Sequence, residues 1–283
     1  MTTWFITGAS SGLGAALAQA VLQHGHYAVI TARNSDHLQD IVQAHPTSAL
    51  AVPLDVTDHD QVVAAVNAAV ERFGAVDVLV NNAGHGYRAA VEEAAVDEVD
   101  ELFATNFFGP VDLIKQVLPQ MRERPSGAIV NVSSIGAPRS NPASGYYTAT
   151  KAALEGMSDA LNREVAPLGI RVMVIEPGAF RTDFSGRSLT QSRTVIADYA
   201  ATAGRRRKEN DRTHGTQQGD PDRAAQVIIA TVEGERAPFR LLLGTDAITI
   251  VRDELQGRID EINEWAPVSA TTDFTSGSST VTP

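Results

Sequence analysis

Tyr147 and Lys151 stand four residues apart in the stretch GYYTATK, residues 145–151. On a helix of about 3.6 residues per turn, that spacing puts both side chains on one face. Tyr146 lies five residues from the lysine and is rotated away from it. A phenol with an ordinary pKa of about 10 is a poor proton shuttle at neutral pH. A neighbouring positive charge stabilises the phenolate and brings proton transfer within reach. If a tyrosine and a cation cooperate in this chain, Tyr147 is the tyrosine, although the same pair also fits ordinary surface packing. Upstream, Ser133 and Ser134 close an apolar run. Strand alternation sends adjacent side chains to opposite faces, so only one serine should reach a shared site. There its hydroxyl would stabilise a developing oxyanion.

A second constellation sits at the start of the chain. The run TWFIT leads into TGASSGLG (7–14) and then an apolar four-residue repeat, Leu13, Leu17 and Val21. Glycines at 8, 12 and 14 permit a tight turn and close approach of the backbone to a ligand. A helix beginning there points unpaired N–H groups and the positive end of its dipole at an anion. Glycines also serve ordinary turns; the position between a first buried strand and a helix points to a nucleotide pyrophosphate.

These residues need a scaffold, and the apolar pattern predicts one. Strand-like runs fall at 3–7, 27–32, 49–55, 76–81, 127–134, 170–177 and 240–244, rich in Val, Ile and Leu without alternation, as in strands buried on both faces. Amphipathic stretches separate them, including DHDQVVAAVNAAVERFG with a capping Asp and, later, DPDRAAQVIIATVEG. The alternation predicts an α/β fold: a doubly wound Rossmann-type parallel sheet of about seven strands with helices on both faces. One domain is expected over 1–265. Within it, the polar segment 185–219, with a helical portion around VIADYAATAG, is expected to be a substrate lid. The Ser/Thr-rich stretch 266–283 is expected to be a disordered tail.

Composition narrows the function. The 283-residue chain has a net charge of −11 and offers no basic field for nucleic acid or anionic lipid. Its one dense basic run, GRRRKEN at 204–210, either faces solvent or forms a single anionic subsite. There is no cysteine, which excludes disulfides and thiolate metal sites, and the histidines show no metal-ligand spacing. No basic leader or long apolar segment is visible, so a cytoplasmic protein is expected.

The TGxxxGxG spacing resembles the short-chain dehydrogenase/reductase family. Further matches follow in the family's order: DVTD (55–58), NNAG (81–84), TNFFG (105–109), NVSS (131–134), Tyr147 with Lys151, and PGAFRTD (177–183). Together they cover roughly residues 3–185. The resemblance implies an oxidoreductase that interconverts an alcohol and a carbonyl by hydride transfer to or from a nicotinamide dinucleotide. It implies a catalytic set of Asn106, Ser134, Tyr147 and Lys151, with Tyr147 as general acid/base. The family spacing of thirteen residues before the tyrosine selects Ser134 over Ser133, and Asn106 would support a water relay to Lys151.

For the cofactor, the resemblance implies contacts from Gly8, Ser10, Ser11, Gly12, Leu13 and Gly14 in the glycine loop. Asp55 and Val56 would meet the adenine, and Asn82, Ala83 and Gly84 would lie beneath the cofactor, Asn82 nearest the adenosine ribose. Pro177, Gly178, Phe180 and Thr182 would lie by the nicotinamide, alongside Tyr147 and Lys151. Bland alternatives exist: Asp55 as a turn cap, Asn106 as a buried helix group, and PG as chain punctuation.

NAD-preferring members commonly carry Asp at the end of strand two. Here Ala32 occupies that place and Arg33 follows, suited to a 2′-phosphate. NADP(H) is therefore expected, with NAD(H) second, although Ser11 stands where many NADP-preferring members carry a second basic residue. A non-catalytic NADP-sensing regulator on the same fold is the rival, and the Ser134–Tyr147–Lys151 set argues against it. Phe180, Phe184, Leu189 and Tyr199 suggest a moderately hydrophobic small-molecule substrate. The resemblance further implies a homodimer or homotetramer formed through the helix bearing Tyr147.

Overall fold

In the computed structural model of the chain, residues 1–186, 188–213 and 215–274 are described. All seven expected strands form one parallel sheet: β1 (Thr3–Ile6), β2 (Tyr27–Ala32), β3 (Ala49–Pro53), β4 (Val78–Asn81), β6 (Gly127–Val132), β7 (Ile170–Pro177) and β9 (Arg240–Leu243). Their order is β3-β2-β1-β4-β6-β7-β9. The chain therefore turns back between β1 and β4, and the carboxyl ends of strands flanking such a switch form a crevice. Two three-residue strands outside this sheet, β5 (Gly86–Arg88) and β8 (Leu189–Gln191), pair in parallel over the crevice.

Period-two alternation divides the strand residues between two cores. Trp4, Ile6, Ile30, Val80 and Val130 point to one side, where α1 (Gly12–Gln23) and α8 (Pro221–Glu233) pack. Phe5, Val29, Leu79 and Ile129 point to the other. There they meet α3 (His59–Phe73), α5 (Gly109–Glu123) and α6 (Gly145–Val165). The remaining helices are α2 (Gln39–Ala44), α4 (Val96–Phe103), α7 (Ala203–Thr213) and α9 (Thr245–Ser269). No described helix is long and apolar enough to cross a membrane.

Helix ends follow local chemistry. Asp58 caps α3 by accepting from the Gln61 amide at 3.1 Å, and Gly74 ends that helix at φ 87°. Asp220 caps α8, accepting from the amides of Asp222 at 2.9 Å and Arg223 at 3.3 Å. Asp220→Ala should cost about 1 kcal/mol. In a domain of this size that lowers the melting temperature by about 2–4 °C, while Asp220→Asn should be nearly neutral in the same thermal scan.

Three expectations are corrected. The helical part of 185–219 is not VIADYAATAG, which holds only a short turn, Ala197–Tyr199; it is α7, which contains the basic run. That run does not simply face solvent: Arg207 is buried and donates to Glu93 at 2.5 Å. Glu93 also accepts from the amides of Ala90 and Ile196, so buried polar bonds help to tie this segment down. The tail begins later than residue 266, because α9 runs through Ser269 into a turn at Ala270–Thr272. Pro267 lies within this last part of α9 and adds no hydrogen bond of its own, so the helix continues past it on the bonds of its neighbours. Residues 275–283 of the expected tail lie outside the described residues.

Candidate active site

The glycine loop is held from below by β4. Asn82 Nδ2 donates to the carbonyls of Thr7 at 2.8 Å and Gly8 at 3.1 Å, and Thr7 Oγ1 accepts from the amides of Asn82 and Ala83. Gly8 adopts φ +66°, a left-handed conformation that favours glycine. A Cβ on Gly14 would lie 2.4 Å from the Gly8 carbonyl oxygen, so only glycine lets α1 approach the loop this closely. Ser11 precedes α1 without a side-chain capping bond, leaving the first-turn amides to a ligand. These features form a cradle for a pyrophosphate, and the donor set fits a dinucleotide.

The cradle opens into a cleft of about 1420 Å³. Gly8, Ser10, Ser11, Gly12 and Leu13 line its phosphate end; Gly14 sits behind the loop. Arg33, Asp55 and Val56 line one flank, Asn82, Ala83 and Gly84 the floor, and Pro177, Gly178, Phe180 and Thr182 the far wall. Arg33 is exposed, and no protein hydrogen bond or ion pair holds it among the described residues. Asp55 does cap a turn, accepting from the amide and hydroxyl of Thr57 at 2.9 and 2.7 Å through one oxygen. Asn82 uses both amide hydrogens to tie the glycine loop, so its first role is to brace the cradle.

Ser134, Tyr147 and Lys151 converge at the middle of the cleft. Tyr147 and Lys151 lie one turn apart near the start of α6, both buried. Ser134 follows β6; its hydroxyl accepts from the Gly136 amide at 2.9 Å and lies near enough to the Tyr147 phenol to favour its ionised form. Ser133 is hydrogen-bonded to Glu155 Oε1 at 2.7 Å instead, the outcome alternation predicts. Tyr146 is turned away: its hydroxyl donates to the Val91 carbonyl, and its ring packs edge-on to Tyr87.

The electrostatics depart from expectation in one respect. Burial pushes Tyr147 above the ordinary phenol value, opposed by the nearby Ser134 hydroxyl and the charge of Arg88. The Lys151 ammonium donates to the Val132 carbonyl at 2.8 Å. Burial lowers its pKa to about 8, against the support of the Glu155 carboxylate one turn on. At that value the ammonium form still predominates at neutral pH. Glu155 is bonded to Arg240 at 3.2 Å, and burial pushes the adjoining Glu176 up to about 7.

Asn106 does not line the cleft. It lies in a π-helical turn, Ala104–Phe108, between α4 and α5. Its Oδ1 accepts from the His85 amide at 3.0 Å, and Nδ2 donates to the His85 carbonyl at 2.9 Å and Thr150 Oγ1 at 3.3 Å. Both amide hydrogens are engaged, so the side chain clamps the loop after β4. A Cβ on Gly84 would lie 3.0 Å from Asn106 Oδ1 and 3.6 Å from Lys151 Nζ, so the clamp and the lysine meet under one glycine.

Sequence reasoning missed Arg88 and Gln217, both buried and both in the cleft wall. Neither stands in a recognisable motif; only tertiary structure brings them there. Among the described residues no cluster of His, Asp or Glu could hold a metal ion.

The short chain dehydrogenase profile matches residues 2–193. The chain belongs to the short-chain dehydrogenase/reductase family. It is 39% identical over 246 residues to Oxidoreductase BOA17 of Botryotinia fuckeliana, covering 87% of this chain and 89% of that one. A short-chain dehydrogenase from Streptomyces avermitilis superposes with a TM-score of 0.90 at 42% identity, covering 96% of this chain and all (100%) of that one. An alcohol dehydrogenase from Thermococcus sibiricus, solved with 5-hydroxy-NADP, superposes with a TM-score of 0.70 at 27% identity. That match covers 86% of this chain and 96% of that one. That neighbour holds a nicotinamide dinucleotide derivative on this fold, and the family match ends before α7, α8 and α9.

Proposed function

We propose that the chain is an NADP(H)-dependent oxidoreductase interconverting an alcohol and a carbonyl, with Tyr147 as general acid/base. The observation that carries this is the buried Tyr147, which lines one cleft with Ser134, Lys151 and the glycine-loop cradle. A nicotinamide bound there supplies or accepts the hydride. Tyr147 donates its proton to the substrate oxygen in reduction and recovers one in oxidation. Ser134 hydrogen-bonds the same oxygen and stabilises it as charge develops. Lys151, held by the Val132 carbonyl, supports the phenolate, and Asn106 fixes the loop above it.

The glycine loop holds the pyrophosphate, Arg33 the 2′-phosphate, Asp55 and Val56 the adenine, and Asn82 to Gly84 the floor under the adenosine ribose. Pro177, Gly178, Phe180 and Thr182 hold the nicotinamide carboxamide. Consumption of NADPH, followed by absorbance across a panel of ketones and aldehydes, tests the reading. Tight NADPH binding with no turnover of any member would favour the sensing regulator instead.

The expected lid, 185–219, serves in this scheme as a substrate cover, and within it α7 is tied down by the Arg207–Glu93 pair. Amide exchange over 203–213 should slow when cofactor and substrate bind together. Equal protection before and after binding would remove the cover.

A further inference from the structure

Arg88 closes β5 and is only 8% exposed, yet it faces the cleft close enough to Tyr147 for each to influence the other's charge. Its Nη1 donates to the Tyr87 carbonyl at 3.3 Å, and its Nε is buried without an acceptor. No acidic side chain pairs with it among the described residues. Arg207 shows the contrast, being similarly buried but bonded to the Glu93 carboxylate. An uncompensated buried charge is strongly penalised, and here burial and the neighbouring Arg206 lower Arg88 to about 10, which still leaves it protonated at neutral pH.

The surroundings are polar as well. Arg206 lines the same cleft. Gln217, at 9% exposure, presents a carboxamide whose nitrogen and oxygen are both buried without partners. The glycine loop supplies the donors for the dinucleotide's pyrophosphate, and Arg88 belongs to a different wall, on β5, whose charge acts on the Tyr147 phenol. A planar guanidinium fork matches a carboxylate with two parallel hydrogen bonds.

Resting on the oxidoreductase reading above, we propose that the substrate is anionic, a keto acid or its hydroxy acid, whose carboxylate is held by Arg88 while its reacting oxygen meets Tyr147 and Ser134. This replaces the moderately hydrophobic substrate expected from Phe180, Phe184, Leu189 and Tyr199 alone.

The test is a homologous series of methyl-ketone carboxylates, from levulinate upward, each assayed with NADPH beside its methyl ester and its trimethylammonium analogue. The best carboxylate should exceed its ester in kcat/KM by about ten- to a hundredfold, the worth of a charge-assisted contact. The cationic analogue should be the poorest. Arg88→Gln should erase the carboxylate's advantage over the ester, and Arg88→Lys should restore part of it. Esters or cations turned over as well as carboxylates by the wild type would overturn the proposal, whatever the variants do. So would an equal loss for carboxylate and ester in Arg88→Gln, which would mean that Arg88 serves the phenol. Absence of turnover with every compound would remove the oxidoreductase reading instead. Titration of the wild-type chain with the longest carboxylate, read by thermal shift, would then decide. Stabilisation lost in Arg88→Gln supports the anion site, while no stabilisation, or equal stabilisation of both proteins, overturns it. A phosphate monoester ketone that outperforms every carboxylate would overturn the choice of carboxylate.

Discussion

Tyr147→Phe is expected to lower kcat by about a hundred- to ten-thousandfold, the range of a lost general acid. The substitution keeps the buried ring and its contact with Phe184, whose centroid lies 5.9 Å away, and removes only the hydroxyl with its transferable proton. NADPH affinity, measured by fluorescence titration, should change little. Tyr146→Phe is the control. It loses one bond to the Val91 carbonyl at the edge of the site and should turn over at close to the wild-type rate. Comparable losses in two folded variants would take the catalytic role away from Tyr147.

The second large effect concerns the choice between NADPH and NADH. Arg33 is exposed and held by no protein partner, so its truncation should leave the fold intact and report on the ligand alone. A charge-assisted hydrogen bond is worth about 1.5–3 kcal/mol, so Arg33→Ala should cost roughly ten- to a hundredfold in NADPH affinity and little for NADH. Ala32 is buried at the end of β2, and Ala32→Asp adds a hydroxyl acceptor for NADH and a repulsive charge against the 2′-phosphate. The double variant should reverse the preference, with incomplete additivity because both residues act on one ligand group. The measurement is the ratio of kcat/KM for the two cofactors in wild type and the three variants. If Arg33→Ala weakens both cofactors alike, the NADP preference loses its main support.

Much of this architecture is legible because it rests on local rules. Continuous apolar runs locate all seven strands of the main sheet, and β2 and β7 keep even their expected ends. Alternation and family spacing place Ser134 on the phenol's side and Ser133 on the Glu155 side. Helical phase separates Tyr147 from Tyr146 in the same way.

What stays hidden depends on distant partners. β5 and β8 are three residues each, too short for a period to show, and they exist because residues about a hundred positions apart pair over the cleft. Arg207 reads as a solvated charge until Glu93 is known to face it. That the Asn82 amide grips the glycine-loop carbonyls is likewise invisible until the end of β4 is seen beneath that loop.

The widened turn at Ala104–Phe108 has a consequence for how this chain tolerates insertions and deletions. A π turn holds one residue more than an α turn, and one residue corresponds to about 100° of helical rotation. The inward faces of α4 and α5 are therefore offset by one position, and a template that runs straight from 96 to 123 assigns the wrong side chains to the core after 108. In the middle of an ordinary helix, removing a single residue throws everything downstream out of phase. Here the same deletion would let the helix close into a regular α spiral, at the expense of the bulge that aims Asn106 at His85. The bulge behaves as an insertion of length one that the scaffold accommodates, and its benefit falls entirely on the loop above Lys151.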